Sequence, residues 1–160
     1  MKEDTEVLSS WQKLLLVVLR FVIGWHFFYQ GYGKLISVDW SSEAYLKASW
    51  GPFLMIAESP TLLWIADYMT IAALIILGIM LMVGLFTQFA AIAGTLLLWS
   101  FFLAIPPVDY TGFVISTPQG TELYVDKTLI EALSLMLVAS FKTGRMLGLD
   151  ILVRNWRHQR

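Results

Sequence analysis

Apolar residues gather into four blocks along the chain, at 13–36, 62–85, 89–105 and, less cleanly, 123–141. A helix crosses a bilayer with about 20 mostly apolar residues, and the first three blocks fit that requirement. In the fourth, the apolar stretch 128–141 holds only 14 residues. It reaches spanning length by taking in 123–127, which brings Glu122, Asp126, Lys127 and Glu131 into or beside it. Alone it reads as a short amphipathic helix; beside three better spans it reads as a span whose polar half faces protein. The expected fold is an all-α integral membrane protein, a four-transmembrane-helix bundle forming one domain over 1–160.

The connections carry patterns of their own. WSSEAYLKASWGPF places a serine cap before a short amphipathic helix that breaks at Gly51-Pro52. Trp40, Tyr45, Trp50 and Phe53 suit a helix lying in the outer headgroup layer. In the second long connection, runs at 113–116 and 122–125 flank STPQGT, which reads as a small β-hairpin. The link VGLFTQFAA is a tight, uncharged turn, and GLDILVRNWRHQR reads as a basic interfacial tail.

Charge sets the orientation. Lys142, Arg145, Arg154, Arg157 and Arg160 follow the last span, so both termini are expected in the cytoplasm. The connections 37–61 and 106–126 hold one lysine against six acids and are expected outside. The N-terminus is acidic and lacks a cleavage pattern, so the first span is expected to be retained.

Composition agrees with the membrane reading. Hydrophobic residues make up 58% of the 160 and charged residues 14%, against roughly 45–50% and 25% in soluble domains. A net charge of −1 argues against a nucleic-acid surface. The chain has no cysteine, which excludes disulfides, thiolate catalysis and iron–sulfur ligation, and two histidines make no metal triad.

The candidate chemistry lies in polar residues that share one depth. His26, Gln30 and Lys34 of the first span, Asp67 of the second, and Lys127 and Glu131 of the fourth all fall in the outer half of the bundle. Charges in lipid cost at least about 2.5–3.5 kcal/mol each on insertion scales, so they are expected to pair or to line a wet cavity. The plainer alternatives are lysines reaching the headgroups, a Lys127–Glu131 pair within one helix, and a packed His26. Arg20 lies roughly 21 Å below Lys34 at ~1.5 Å per residue; it is expected to be architectural, and Glu131 the functional charge. At 100° per residue Arg20 and Lys34 lie about 40° apart, with His26 and Gln30 some 80–120° from Arg20. The first span is therefore expected to be the most enclosed, its Arg20–Lys34 stripe meeting the fourth span and its His26–Gln30 stripe the second. Asp67 and Glu131 would bound the pocket between, under residues 40–53.

RFVIGWHFFYQGYGKL resembles the first-helix signature of the DoxX family, with its arginine, glycines and closing Lys-Leu. AYLKASWGPF, the run from SPTLLWIADYM to AGTLLL, and VDKTLIEALSLMLVASFKTGRMLGLD resemble its DoxD branch. That resemblance implies four membrane helices in a bacterial or archaeal cytoplasmic membrane. It also implies the membrane subunit of a thiosulfate:quinone oxidoreductase, working with a DoxA-like subunit or another redox partner.

Two readings stay open. As an oxidoreductase subunit, the chain would take quinone as substrate with no covalently bound cofactor. Glu131, His26 and Lys34 would serve catalysis, Gln30, Asp67, Arg20 and Lys127 would bind, and Trp25, Phe28 and Tyr32 would flank the ring. As a non-catalytic scaffold or assembly factor, it would use the same polar cluster for structure or for a partner helix. Self-association is open in both.

Overall fold

The computed structural model describes residues 8–49, 51–105, 115–117, 120–122, 125–141, 143–145 and 148–150. Three helices are long and apolar enough to cross a membrane: α1 (Ser10–Ile36), α4 (Pro60–Val83) and α5 (Thr87–Ala104). The short helices α2 (Glu43–Lys47) and α3 (Pro52–Glu58) lie between the first two, and α6 (Lys127–Ser140) follows.

Local chemistry sets most of these boundaries. The Ser9 side chain accepts from the Gln12 amide while the Gln12 side chain accepts from the Ser9 amide, a reciprocal cap that starts α1. Proline at the first position starts both α3 and α4, where its missing N–H is no loss. Helix α4 stops at Gly84, whose φ of 73° ends the helix at no steric cost. The break expected at Gly51-Pro52 is thus also a beginning, since Gly51, at φ 59°, leads into α3.

Helix α6 differs from expectation. Asp126 caps it, accepting from the Leu129 amide at 2.8 Å, so the helix starts at Lys127 and residues 125–126 lie outside it. Its 14 residues extend roughly 21 Å at ~1.5 Å each, well short of a hydrocarbon core of about 30 Å.

Small residues decide which helices touch. A Cβ added to Gly78 would stand 2.6 Å from the Phe28 backbone nitrogen, and one on Gly24 would stand 2.9 Å from the Gly78 carbonyl. Gly31 lies as close to Leu74 and Ile75. These contacts press α1 against α4, while α6 packs mainly on α5 and meets α1 at only a few residues. Phe27, Leu81, Leu135 and Val138 fill the centre. The most enclosed candidate span is α5, with 39% of its apolar window buried against 33% for α1, contrary to expectation. A five-turn helix with few polar groups fits between three neighbours, whereas one side of α1 carries Trp25, Tyr29 and Tyr32 outward.

In the second long connection, Ile115–Thr117 (β1) pairs antiparallel with Gly120–Glu122 (β2), Ser116 opposite Thr121. The pairing falls largely within the segment expected to be the turn. Residues 113–114, 118–119 and 123–124 of that expectation lie outside the described residues, as does most of the basic tail. Beyond α6, a 3₁₀ turn at Thr143–Arg145 precedes a segment that returns to the α4–α5 turn, the Asp150 amide donating to the Gly84 carbonyl at 3.0 Å.

Candidate functional site

The glycine contacts fix which way the polar face of α1 points. Gly24 and Gly31 turn toward α4, so His26, Gln30 and Lys34, which follow one another up the helix, turn toward α6. Lys34 faces the fourth helix as expected, whereas His26 and Gln30, expected against the second span, turn to α6 as well. Only the second span offers a matching glycine for close backbone approach, so the glycine stripe goes there and the polar stripe meets the shorter helix.

A cavity of about 200 Å³ opens between α1 and α6. His26, Gln30, Lys34, Lys127, Thr128 and Glu131 give it one polar wall; Phe27, Leu74, Leu98 and Phe101 give it an apolar one. Lys127 Nζ stands 2.9 Å from His26 Nε2, and Glu131 Oε1 stands 3.4 Å from the same nitrogen. Lys127 and Glu131 are 3.8 Å apart on successive turns of α6. Higher up, Lys34 donates to Gln30 Oε1 at 3.3 Å, and its ammonium lies 5.1 Å from the centre of the Trp40 ring.

One nitrogen therefore faces both an ammonium and a carboxylate. When Lys127 donates to Nε2, that atom is an acceptor and the neutral ring carries its proton on Nδ1. When Nε2 takes a proton, it turns donor and Glu131 becomes its acceptor. The two contacts ask opposite roles of one nitrogen, and the protonation of the ring decides which of them is a hydrogen bond.

Several expected members lie elsewhere. Asp67 does not bound the cavity: its carboxylate accepts from Ser41 Oγ at 2.8 Å, from the Ser42 amide at 2.8 Å, and from Ser42 Oγ. It fixes the approach to α2, which explains why Ser42 makes no cap of its own with its side chain. Trp25 and Tyr32 do not flank the cavity either. They are 53% and 47% exposed on the opposite side of α1, where Trp25, Phe28, Tyr29 and Tyr32 form a ladder of rings. The aromatic walls come from Phe27 and Phe101, and nothing in an apolar helix sequence distinguished Phe101 from its neighbours.

Arg20 belongs to a second polar node at the other end of the bundle. It is 3% exposed, with its guanidinium against Gly84 and within the field of Asp150. Asp150 accepts from the Phe86 and Thr87 amides at 2.6 and 3.0 Å, capping α5 from beyond α6. That role for Asp150 was hidden in the tail segment, where a lone acid gave no sign of its partner. Among the described residues, no three His, Asp or Glu side chains converge as metal ligands.

The segment between α1 and α3 is anchored beside the cavity. Tyr45 donates to the Phe101 carbonyl at 2.6 Å, and its ring meets the Phe101 ring edge-on. Burial, with the charge of Asp126 added, pushes the phenol up to about 12. Residues 40–47 are thus held to the lining residues Lys34 and Phe101 and, away from the cavity, to Asp67.

No curated protein and no solved structure matches the chain. The DoxX family model matches residues 15–105, from the first turns of α1 through the whole of α5. With more than half of its length covered by that model, the chain belongs to the DoxX family.

Proposed function

We propose that the chain is the quinone-binding membrane subunit of an oxidoreductase, of the DoxD type that couples thiosulfate oxidation to quinone reduction. Helix α6 serves as the fourth span, short at its outer end, and both termini lie in the cytoplasm. The protein sits in a bacterial or archaeal inner membrane as one domain.

The observation that carries this reading is the Lys127–His26–Glu131 trio, meeting at one nitrogen beside an apolar-backed cavity. A quinone has a flat apolar ring and two carbonyl oxygens. Phe27, Leu98 and Phe101 supply surface for the ring; Gln30, Lys34 and Lys127 supply donors for an oxygen. Its reduction takes two electrons and two protons to the quinol. Two thiosulfates joining as tetrathionate release the two electrons and no proton, so both quinol protons come from water, relayed one at a time to the developing oxyanion by the trio. Sulfur chemistry falls to a DoxA-like partner, because the acidic outer connections disfavour a dianion at this surface.

The test is a melting experiment on purified protein with a short-chain quinone analogue. Native protein should be stabilised, and Glu131→Gln, melting normally without ligand, should lose the shift. If the native protein shows no shift, or the variant shifts equally, the quinone reading fails and a partner-binding scaffold becomes the better one. In that case a partner should co-purify from native membrane whether or not quinone is present.

A further inference from the structure

The charges around the cavity do not balance. Among the described residues, its ionisable and polar lining comes from α1 and α6. Helix α4 contributes Leu74 and α5 contributes Leu98 and Phe101, none of them ionisable. From α6 come Lys127 and Glu131, opposite charges 3.8 Å apart, with Thr128 between them. From α1 come Gln30, a His26 that is neutral while Lys127 donates to it, and Lys34.

Lys34 is the remainder. Its contacts are the Gln30 amide oxygen and the face of the Trp40 ring, a dipole and a quadrupole, neither carrying net charge. Two acids outside the lining, Asp67 and Asp126, are committed elsewhere. Asp67 is held by three donors from Ser41 and Ser42, and Asp126 caps α6, where the helix terminus already offsets part of its charge. Among the described residues no carboxylate lies within 4 Å of the Lys34 ammonium, so one positive charge is left over in the described lining.

We infer that the cavity selects a ligand whose headgroup bears a single negative charge, with Lys34 as the residue that reads it. This rests on the quinone reading and narrows it: the pocket favours the anionic oxygen of a hydroxyquinone or semiquinone over a neutral quinone. A dianion such as thiosulfate would overshoot the one available charge. Placed between the Lys34 and Lys127 ammonium groups, a ring oxyanion keeps the apolar wall for its ring and tail.

The experiment compares two probes on the full chain in lipid nanodiscs. One is a 3-alkyl-2-hydroxy-1,4-naphthoquinone, an acidic enol that is ionised at neutral pH. The other is its 2-methoxy ether, neutral and with the same tail. The native protein should bind the hydroxy compound at least tenfold more tightly. That ratio should fall to about one in Lys34→Gln and persist in Lys34→Arg, each checked for an unaltered melting profile. Equal binding of the two probes by native protein overturns the inference and leaves the quinone reading standing. If neither probe binds, both readings fall. A fatty-acid anion of equal tail length binding as tightly as the hydroxy compound would keep the charge selection and overturn the ring.

Discussion

Arg20 shows how one residue of a polar stripe comes to do separate work from the rest. The guanidinium is buried at the end of the bundle opposite the cavity, and among the described residues its Nε and Nη1 have no hydrogen-bond partner. Its guanidinium lies against Gly84 of the α4–α5 turn, and its charge answers Asp150. Arg20→Ala should therefore lower stability by about 2–4 kcal/mol through lost packing, seen as a lower melting temperature with ligand affinity at the cavity unchanged. Tyr45 allows a prediction in pH. Its phenol is shifted from 10.0 to about 12, so the folded state holds a proton that the unfolded chain releases first. The neutral phenol's contribution is whole below pH 10 and is lost as pH rises toward 12. Melting curves over that window should fall more steeply for native protein than for Tyr45→Phe. The separate position of Arg20 was legible from its depth alone. Its partner was not, because Asp150 lies in a polar tail with no periodicity to place it.

At the scale of elements, the pairing of α1 with α4 rests on backbone approach. Gly78→Ala would put a methyl group against backbone atoms of Phe28 and Gly24 that have no freedom to move aside. It should cost about 1–3 kcal/mol and release α1 from α4, measurable as a lower melting temperature. Gly33 has open space around its Cβ position, so Gly33→Ala should leave stability unchanged or raise it by up to about 1 kcal/mol. The three long apolar blocks could be read from sequence because hydrophobic length is a strong signal. Which face of α1 met which neighbour could not, since glycine stripe and polar stripe each allowed two partners. Residue spacing put His26 and Gln30 on one stripe and Lys34 on another; the close approach at Gly78 on α4 leaves all three toward α6. Asp67 was misjudged for a related reason. An acid near a helix end serves a neighbouring loop as readily as a pocket, and the serines it holds stand 25 and 26 residues away.

For the whole molecule, the proposed topology places residues 37–59 outside and the α4–α5 turn inside. A single cysteine at Val38, 97% exposed, should react with an impermeant maleimide on intact cells, whereas one at Gln88 should react only after lysis. The opposite pattern would invert the orientation. Both ends of the bundle are tied by long-range contacts, Asp67 and Tyr45 above, Asp150 below, which leaves the middle to apolar packing. The brevity of α6 has a consequence for the solvent rather than for the protein. As the proposed fourth span, α6 would be about 9 Å short of a ~30 Å hydrocarbon core, and would draw the nearby headgroups inward or tilt its neighbours at a fraction of a kcal/mol per Å. Thinning of that kind would fall at the mouth of the cavity and bring the lipid–water boundary down to Lys127. Reconstituted protein should accordingly melt higher in bilayers of shorter acyl chains, and long-chain lipids should close the polar wall off from the water it needs to exchange protons.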